Sequence, residues 1–258
     1  MKIYFFISNL IIVLVLTNCS SDIKRFFPKT GIVGLRSFLD SLDPEKRKNI
    51  LIYEIIKQVY YIKTVLDLHN DQNWVEDSTQ FGMKENGKAF SILNNRLNIY
   101  RVGDARNLFI RRIFYLSFEY DETRIKNLGM ILNKIIETVD DESKDLLIDI
   151  TNVAIIYAQN YFLDEFRLLL NKVDKLQSLE LDILQSLKDK FDQLAMFKKG
   201  WNYITNSLIG DFLNNKNNIQ NDKIKLILHI NQYYKLHFMK IKNIKGLSND
   251  IKDILAKI

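Results

Sequence analysis

Apolar residues recur at spacings of three and four along most of the chain beyond residue 43. The first such stretch follows Asp43-Pro44-Glu45, which reads as a helix start with Asp as N-cap, Pro at the first helical position and an acid in the first turn. Behind it Ile52, Ile55, Ile56, Val59, Ile62 and Leu66 form one stripe, predicting a helix to about His69. Asn70 to Gly87 is polar, includes Gly82 and Gly87, and predicts the longest loop; Trp74 and Phe81 within it are either a small satellite core or an exposed contact. Helical spacing returns at about Lys88 to Ile99, Asp104 to Phe118, Glu122 to Val139 and Asp141 to Tyr161. Asp104 and Asp121 read as caps, and Asp140-Asp141-Glu142 places acids where they complement a helix dipole. Leu179, Ile183, Leu187, Phe191 and Leu194 mark a long amphipathic helix. Gly200 predicts an interruption before Trp201, with a further helix to about Leu213 and a polar break from Asn214 to Asn221.

The last helix is expected over about Asp222 to Ile244. Its apolar positions Ile224, Ile227, Tyr234, Phe238 and Ile241, with Asn231 between them, approach a heptad seam. A polar residue in such a seam tends to set partner and register. The same stripe is equally suited to packing on its own domain. Nothing along the chain alternates with period two for long, so the fold class is all-α without a meaningful sheet.

The N-terminus follows a different pattern. Lys2 is followed by an apolar run from Ile3 to Leu16, broken only by Ser8 and Asn9, and then by Leu16-Thr17-Asn18-Cys19 and the polar Ser20-Ser21-Asp22. These are the parts of a secretory signal, with a cysteine where a small-residue cleavage site would stand. The run, about 14 residues, is shorter than the roughly 20 that span a bilayer as a helix. The expectation is a lipoprotein signal over residues 1–18 and lipidation of Cys19; an ordinary signal peptide with an incidental cysteine, or an uncleaved anchor, are the alternatives. Residues 19–43 then form a tether and lead-in. Phe26, Phe27, Leu35, Phe38 and Leu39 make it too apolar for a wholly disordered linker, and its second half is expected to pack as a short helix. Residues 44–258 are left as the helical surface domain.

Composition sharpens this picture. Cys19 is the sole cysteine, so an exported domain has no disulfide and depends on its apolar core. Hydrophobic residues at 47% supply one, and nine glycines with two prolines favour long helices over turns. Removing residues 1–18 takes away Lys2 and lowers the formal charge from +6 to +5 (6 − 1). A mildly basic surface favours acidic partners, although lysine-rich codon usage gives the same charge. An exported location argues against nucleic acid.

Candidate chemistry is sparse. His69, His229 and His237 have no second His or Cys at metal-ligand spacing, although His229 and His237 could share a face of one helix. Gly31-x-x-Gly34 lacks the rest of a phosphate loop, and no nucleophile elbow occurs. Asp164-Glu165 and similar pairs read as solvated faces. The expectation is a non-enzyme without cofactor or metal. The best candidate contact surface is the C-terminal helix, where Lys223, Lys225, Lys235, Lys240, Lys242 and Lys245 interleave with Tyr233, Tyr234, His237 and Phe238. The alternative is an aromatic core stripe with a lysine-covered back. Arg106, Arg111 and Arg112 beside Phe114 and Tyr115 form a second, less specific cluster.

The relaxed lipidation motif, the long helix around Leu179 to Phe197 and the segment Ile230-Asn231-Gln232-Tyr233-Tyr234-Lys235-Leu236-His237-Phe238 resemble a known family. These are the helical outer-surface lipoproteins of Borrelia, including the complement regulator-acquiring surface proteins, whose Asn-x-Tyr-Tyr-Lys-x-x-Phe pattern the last segment follows. The resemblance implies a compact bundle of about seven helices with a long C-terminal helix, on the outer face of the outer membrane. It also implies capture of host complement proteins, either regulators of the factor H type or terminal components, with plasminogen binding in other members and homodimers through the C-terminal helix in some. Asn231, Tyr233, Tyr234, Lys235, Phe238, Lys240 and Lys242 are the residues expected at a partner or dimer contact. Adhesion to glycosaminoglycan or matrix, or a periplasmic lipid-anchored structural role, are the alternatives.

Overall fold

The computed structural model describes residues 43–97, 105–138 and 140–258. The lipidation motif and lead-in, Asp104 and Val139 lie outside the described residues. Helix α1 (Pro44–Asn70) starts as its sequence dictates, with the Asp43 carboxylate accepting from the Lys46 amide at 3.0 Å. It buries Leu51, Ile55, Val59, Ile62 and Leu66, with Ile52 and Ile56 half-buried beside them. At its far end the Arg112 guanidinium donates to the carbonyls of Leu68, His69 and Asp71, satisfying the orphan acceptors of the last turn.

The loop that follows is packed onto the domain. Asp77 accepts hydrogen bonds from the Thr79 and Phe81 amides, and Arg111 holds Glu76 through two 2.7 Å contacts while Tyr115 donates to the same carboxylate. Trp74 and Phe81 belong to the core through Tyr115, with Trp74 also against Tyr120, so the satellite-core reading is the one observed. Four helices come next: α2 (Ala89–Leu97), α3 (Ala105–Leu116), α4 (Glu122–Ile135) and α5 (Asp141–Ala158). Asp121 and Asp140 cap α4 and α5 by accepting from the Arg124 and Ser143 amides.

Helix α5 continues past Tyr161 through a π-helical stretch, Gln159–Phe166, into the short α6 (Arg167–Leu170). By length and composition Asp141–Leu170 is apolar enough to cross a membrane, yet it is mostly buried within the protein. Tyr157, Phe162, Phe166 and Leu169 lie inside it without measurable exposure to speak of.

Gly200 does not interrupt the next helix. Helix α7 runs unbroken from Leu181 to Leu213, 33 residues, or about 50 Å at 1.5 Å per residue. Tertiary packing overrides the glycine's weak helix propensity: the neighbouring Trp201 is fully buried, stacked on Tyr157 at 5.4 Å, and donates from Nε1 to the Ser117 carbonyl at 2.6 Å. Leu179, expected on this helix, is buried in the turn before it. The polar break is real, with Asn215, Asn217 and Asn218 in the left-handed region that asparagine tolerates.

Helices α8 (Lys223–Tyr233), α9 (Lys235–Ile241) and α10 (Ile244–Leu255) complete the chain. The C-terminal helical stretch therefore reaches further than Ile244, and it is jointed. At Tyr234 the backbone leaves helical values (φ −121, ψ −30), yet Tyr234 still donates to the Ile230 carbonyl and Phe238 to that of Tyr234, each at 2.9 Å. This joint is a kink that preserves the register. Among the described residues there is no strand, and the buried apolar side chains from Leu51 to Leu255 form one cluster.

Two pairings give the bundle an axis. Helix α1 runs parallel to α7, with Arg47 hydrogen-bonded to Gln185 and Gln58 to Asp192. The C-terminal helices run back along α7: Tyr234 meets Asp211, Ile241 lies opposite Gly200, and Asp250 pairs with Lys190. Residue 43, where the lead-in arrives, is thus near the start of α7, while α8 sits by its end. Gln185 and Asp211 are 26 positions apart on one helix, about 40 Å.

Candidate functional site

From Lys223 to Asn249 the sequence contains six lysines and no acid. The structure sorts the side chains of this stretch into two sides. One faces the domain. Tyr234 is buried and donates its hydroxyl to Asp211 at 2.7 Å. Burial and then that carboxylate raise the Tyr234 pKa well above the usual phenol value. Phe238 is buried at 6.0 Å from Trp201, and Ile227, Ile230 and Ile241 are buried in the same row. Asn231 is half-buried: its amide nitrogen reaches Glu142 at 3.5 Å, and its buried carbonyl oxygen has no partner. Lys242 pairs with Asp149 at 3.4 Å, and Lys223 pairs with Asp140 while also donating to Thr138. The lysine contact, followed by the Ser143 hydrogen bonds, holds Asp140 far below the usual carboxylate range.

The other side faces outward. Ile224 is 69% exposed, Leu228 60% and Leu236 67%, with Tyr233 and Met239 about half exposed. Ile224, expected in the buried seam, therefore stands outside it, and Leu226 is buried in its place. Lys225, Lys235, Lys240 and Lys245 are exposed and make no side-chain hydrogen bond or ion pair among the described residues. Of the seven residues expected at a partner contact, Tyr233, Lys235 and Lys240 are displayed on this face. Tyr234, Phe238, Asn231 and Lys242 instead fasten α8 and α9 to the domain. Sequence reasoning missed Leu228, Leu236 and Met239, whose signal is that they fall between the positions of the buried row.

The other candidates resolve into structure. Arg111 is buried in its pair with Glu76, and Arg112 caps α1 while lying 5.1 Å from the Trp74 ring centroid. The Arg106 side chain lies outside the described residues. His69 is buried against the Tyr120 hydroxyl at 2.9 Å; burial, then Arg112 and Arg167, lower its pKa to about 4. His229 is buried 2.9 Å from Asp211, whereas His237 is exposed, so the two do not share a face. Asp164 pairs with Lys252 at 3.1 Å, but Glu165 is fully buried and not a solvated face. Among the described residues no group of three His, Cys, Asp or Glu is placed to hold a metal ion.

Residues 70–256 match the family model described as Borrelia Bbcrasp-1 domain containing protein. No curated protein matches the chain. Among solved structures, the fold is similar to that of the Borrelia burgdorferi outer surface lipoprotein BBA64, at 27% identity and a TM-score of 0.63, over 84% of this chain and 100% of that one. The orthologous BSA64 of Borrelia spielmanii is 28% identical with a TM-score of 0.62, over 84% of this chain and 99% of that one. The Lyme disease associated outer surface protein BBA65 of Borrelia burgdorferi has a TM-score of 0.66 at 22% identity, over 78% of this chain and 98% of that one; this last likeness is one of fold alone.

Proposed function

We propose, from the premise that this chain belongs to the Borrelia Bbcrasp-1 domain family, that it is a lipid-anchored outer-surface protein that binds host serum proteins and so helps evade complement. The ligands in view are regulators of the factor H type or terminal complement components. Structural relatives described as outer surface proteins support the location, and Cys19 supplies the thiol for the anchor. One observation carries the binding reading. The exposed face of α8 and α9 combines Lys225, Lys235 and Lys240, which have no ion pair among the described residues, with exposed Leu228, Leu236 and Met239. It begins at the end of the bundle remote from residue 43.

Exposed apolar side chains that cluster beside free charges are the composition of a binding surface. Binding through such a face needs no cofactor. The test is to incubate immobilised residues 20–258 with human serum and identify what is retained by mass spectrometry. The proposal expects a complement protein among the specifically retained species; their absence overturns it. Protease treatment of intact cells tests the location, since a surface protein is digested and a periplasmic one survives.

Lys225, Lys235, Lys240 and Lys245, which have no ion pair among the described residues, also favour a second reading, adhesion to sulfated glycosaminoglycan. Salt separates the two. Glycan binding falls steeply with ionic strength, whereas an interface with an apolar centre is less sensitive.

A further inference from the structure

The charge and apolar pattern of the α8–α9 face specifies more than a surface. Ile224 and Leu228 are four apart on α8, so they project from one side of it. Leu236 and Met239 continue the exposed apolar positions along α9, beyond the kink. Lys225, Lys235 and Lys240 accompany them, with Lys245 following on α10, and no carboxylate occurs in the sequence between Lys223 and Asn249. The lysines that do have partners, Lys223 and Lys242, are tied inward to Asp140 and Asp149. What remains outside is a set of exposed apolar side chains with lysines that have no ion pair among the described residues, although Glu142 of α5 lies beside Asn231 at its edge.

We infer that this face binds an acidic, amphipathic protein segment, whose apolar side chains cover Leu228 and Leu236 and whose carboxylates pair with Lys235 and Lys240. The inference deepens the proposed function and rests on its reading that the partner is a host protein. Three other occupants fit less well. A sulfated glycan would match the lysines but leave the aliphatic side chains without apolar contact. An anionic lipid surface would likewise match the lysines and leave the order of the apolar side chains unused. A second copy joined by a two-fold axis would present the same patch to itself, bringing two sets of free lysines into one interface. Like charges juxtaposed in an interface oppose association, which counts against a second copy as the occupant.

The test uses residues 20–258, with fluorescence anisotropy on a labelled synthetic helix of alternating Glu and Leu faces. A matched helix with Lys for Glu, heparin, and phosphatidylglycerol vesicles serve as comparison probes. Two variants alter exposed positions only: Lys235→Glu with Lys240→Glu, and Leu228→Ser with Leu236→Ser. Circular dichroism confirms that each folds. The expected result is that the acidic helix binds more tightly than the basic one, and that each double variant weakens it about tenfold. Equal binding of both helices, or unchanged binding by both variants, overturns the inference. So does loss of heparin or vesicle binding in the variants while the acidic helix binds unchanged, and so does a dimer in sedimentation that the variants dissolve. Failure here is distinguishable from failure of the proposed function. A complement protein retained equally by wild type and both variants would leave the function standing and remove this face from it. Variant-sensitive binding of the acidic helix with no complement protein retained would do the reverse.

Discussion

Glu165 and Ser248 meet in a fully buried seam between the π-helical stretch and α10, the serine hydroxyl donating to one carboxylate oxygen while the other has no partner. Burial is the largest influence on this carboxyl. The Ser248 hydrogen bond and Lys252 oppose it and Asp164 adds to it, and the pKa is pushed up from 4.5 to about 7. The folded state therefore holds a proton that the unfolded chain gives up. Below about pH 4.5 both states are protonated and the contribution to stability is fully present. Between pH 4.5 and 7 only the unfolded chain ionises, and stability is lost as pH rises. His69 works the other way in much of the same window, because burial lowers its pKa to about 4 and its contribution is lost as pH falls. Comparing wild type with Glu165→Gln at each pH cancels the His69 part. In urea titrations the variant should gain on wild type steadily from pH 4.5 to 7.5; a constant difference between the two would show that Glu165 does not titrate as described.

The glycines of two helices should respond oppositely to alanine. A Cβ at Gly200 would meet only the Ile241 Cδ1 atom, at an ordinary 3.6 Å. Gly200→Ala is therefore expected to stabilise by about 0.5–1 kcal/mol, through reduced backbone freedom in the unfolded chain. At Gly129 a Cβ would lie 3.1 Å from both the Met83 side chain and the Phe81 carbonyl. Gly129→Ala should destabilise, because α4 approaches the Asp71–Gly87 loop too closely for a methyl group. Thermal midpoints of the two variants check both signs.

Arg111 and Glu76 test how the long loop is held. Their side chains are 5% and 15% exposed, and they meet through paired 2.7 Å contacts. Removing one partner leaves the other charge in poor surroundings, so Arg111→Met should cost about 3 kcal/mol. Limited proteolysis should then cut first between residues 71 and 87. Unchanged stability together with unchanged cleavage would mean that the pair does not anchor the loop.

The parts of the fold that the sequence revealed are those set by local chemistry. Asp43, Asp121 and Asp140 cap their helices because a carboxylate beside free amides is a short-range arrangement. The stripe around Ile55, Val59, Ile62 and Leu66 declares its buried side through its period. Gly200 misled because a residue's intrinsic propensity of about 1 kcal/mol says nothing of the packing that Trp201 and Tyr157 supply around it. The C-terminal face was legible only in part for a related reason. The heptad spacing of Ile227, Tyr234, Phe238 and Ile241 marks a buried row, but period alone does not say whether a second molecule or Trp201 of the same chain covers it. Once Trp201 and Asp211 are seen to take Phe238 and Tyr234, the opposite side of the same helices, with Leu228, Leu236 and Lys235, becomes the surface available to a partner.

That claim has a direct measurement. A photoreactive amino acid is placed at position 236 of the α9 face in one preparation, and in another at position 53 of α1, where Tyr53 is equally exposed. Each protein is illuminated in human serum and its cross-linked partners are identified by mass spectrometry. The account predicts a complement protein cross-linked from position 236 and none from position 53. Cross-links from position 53 alone, or from neither position, would contradict it.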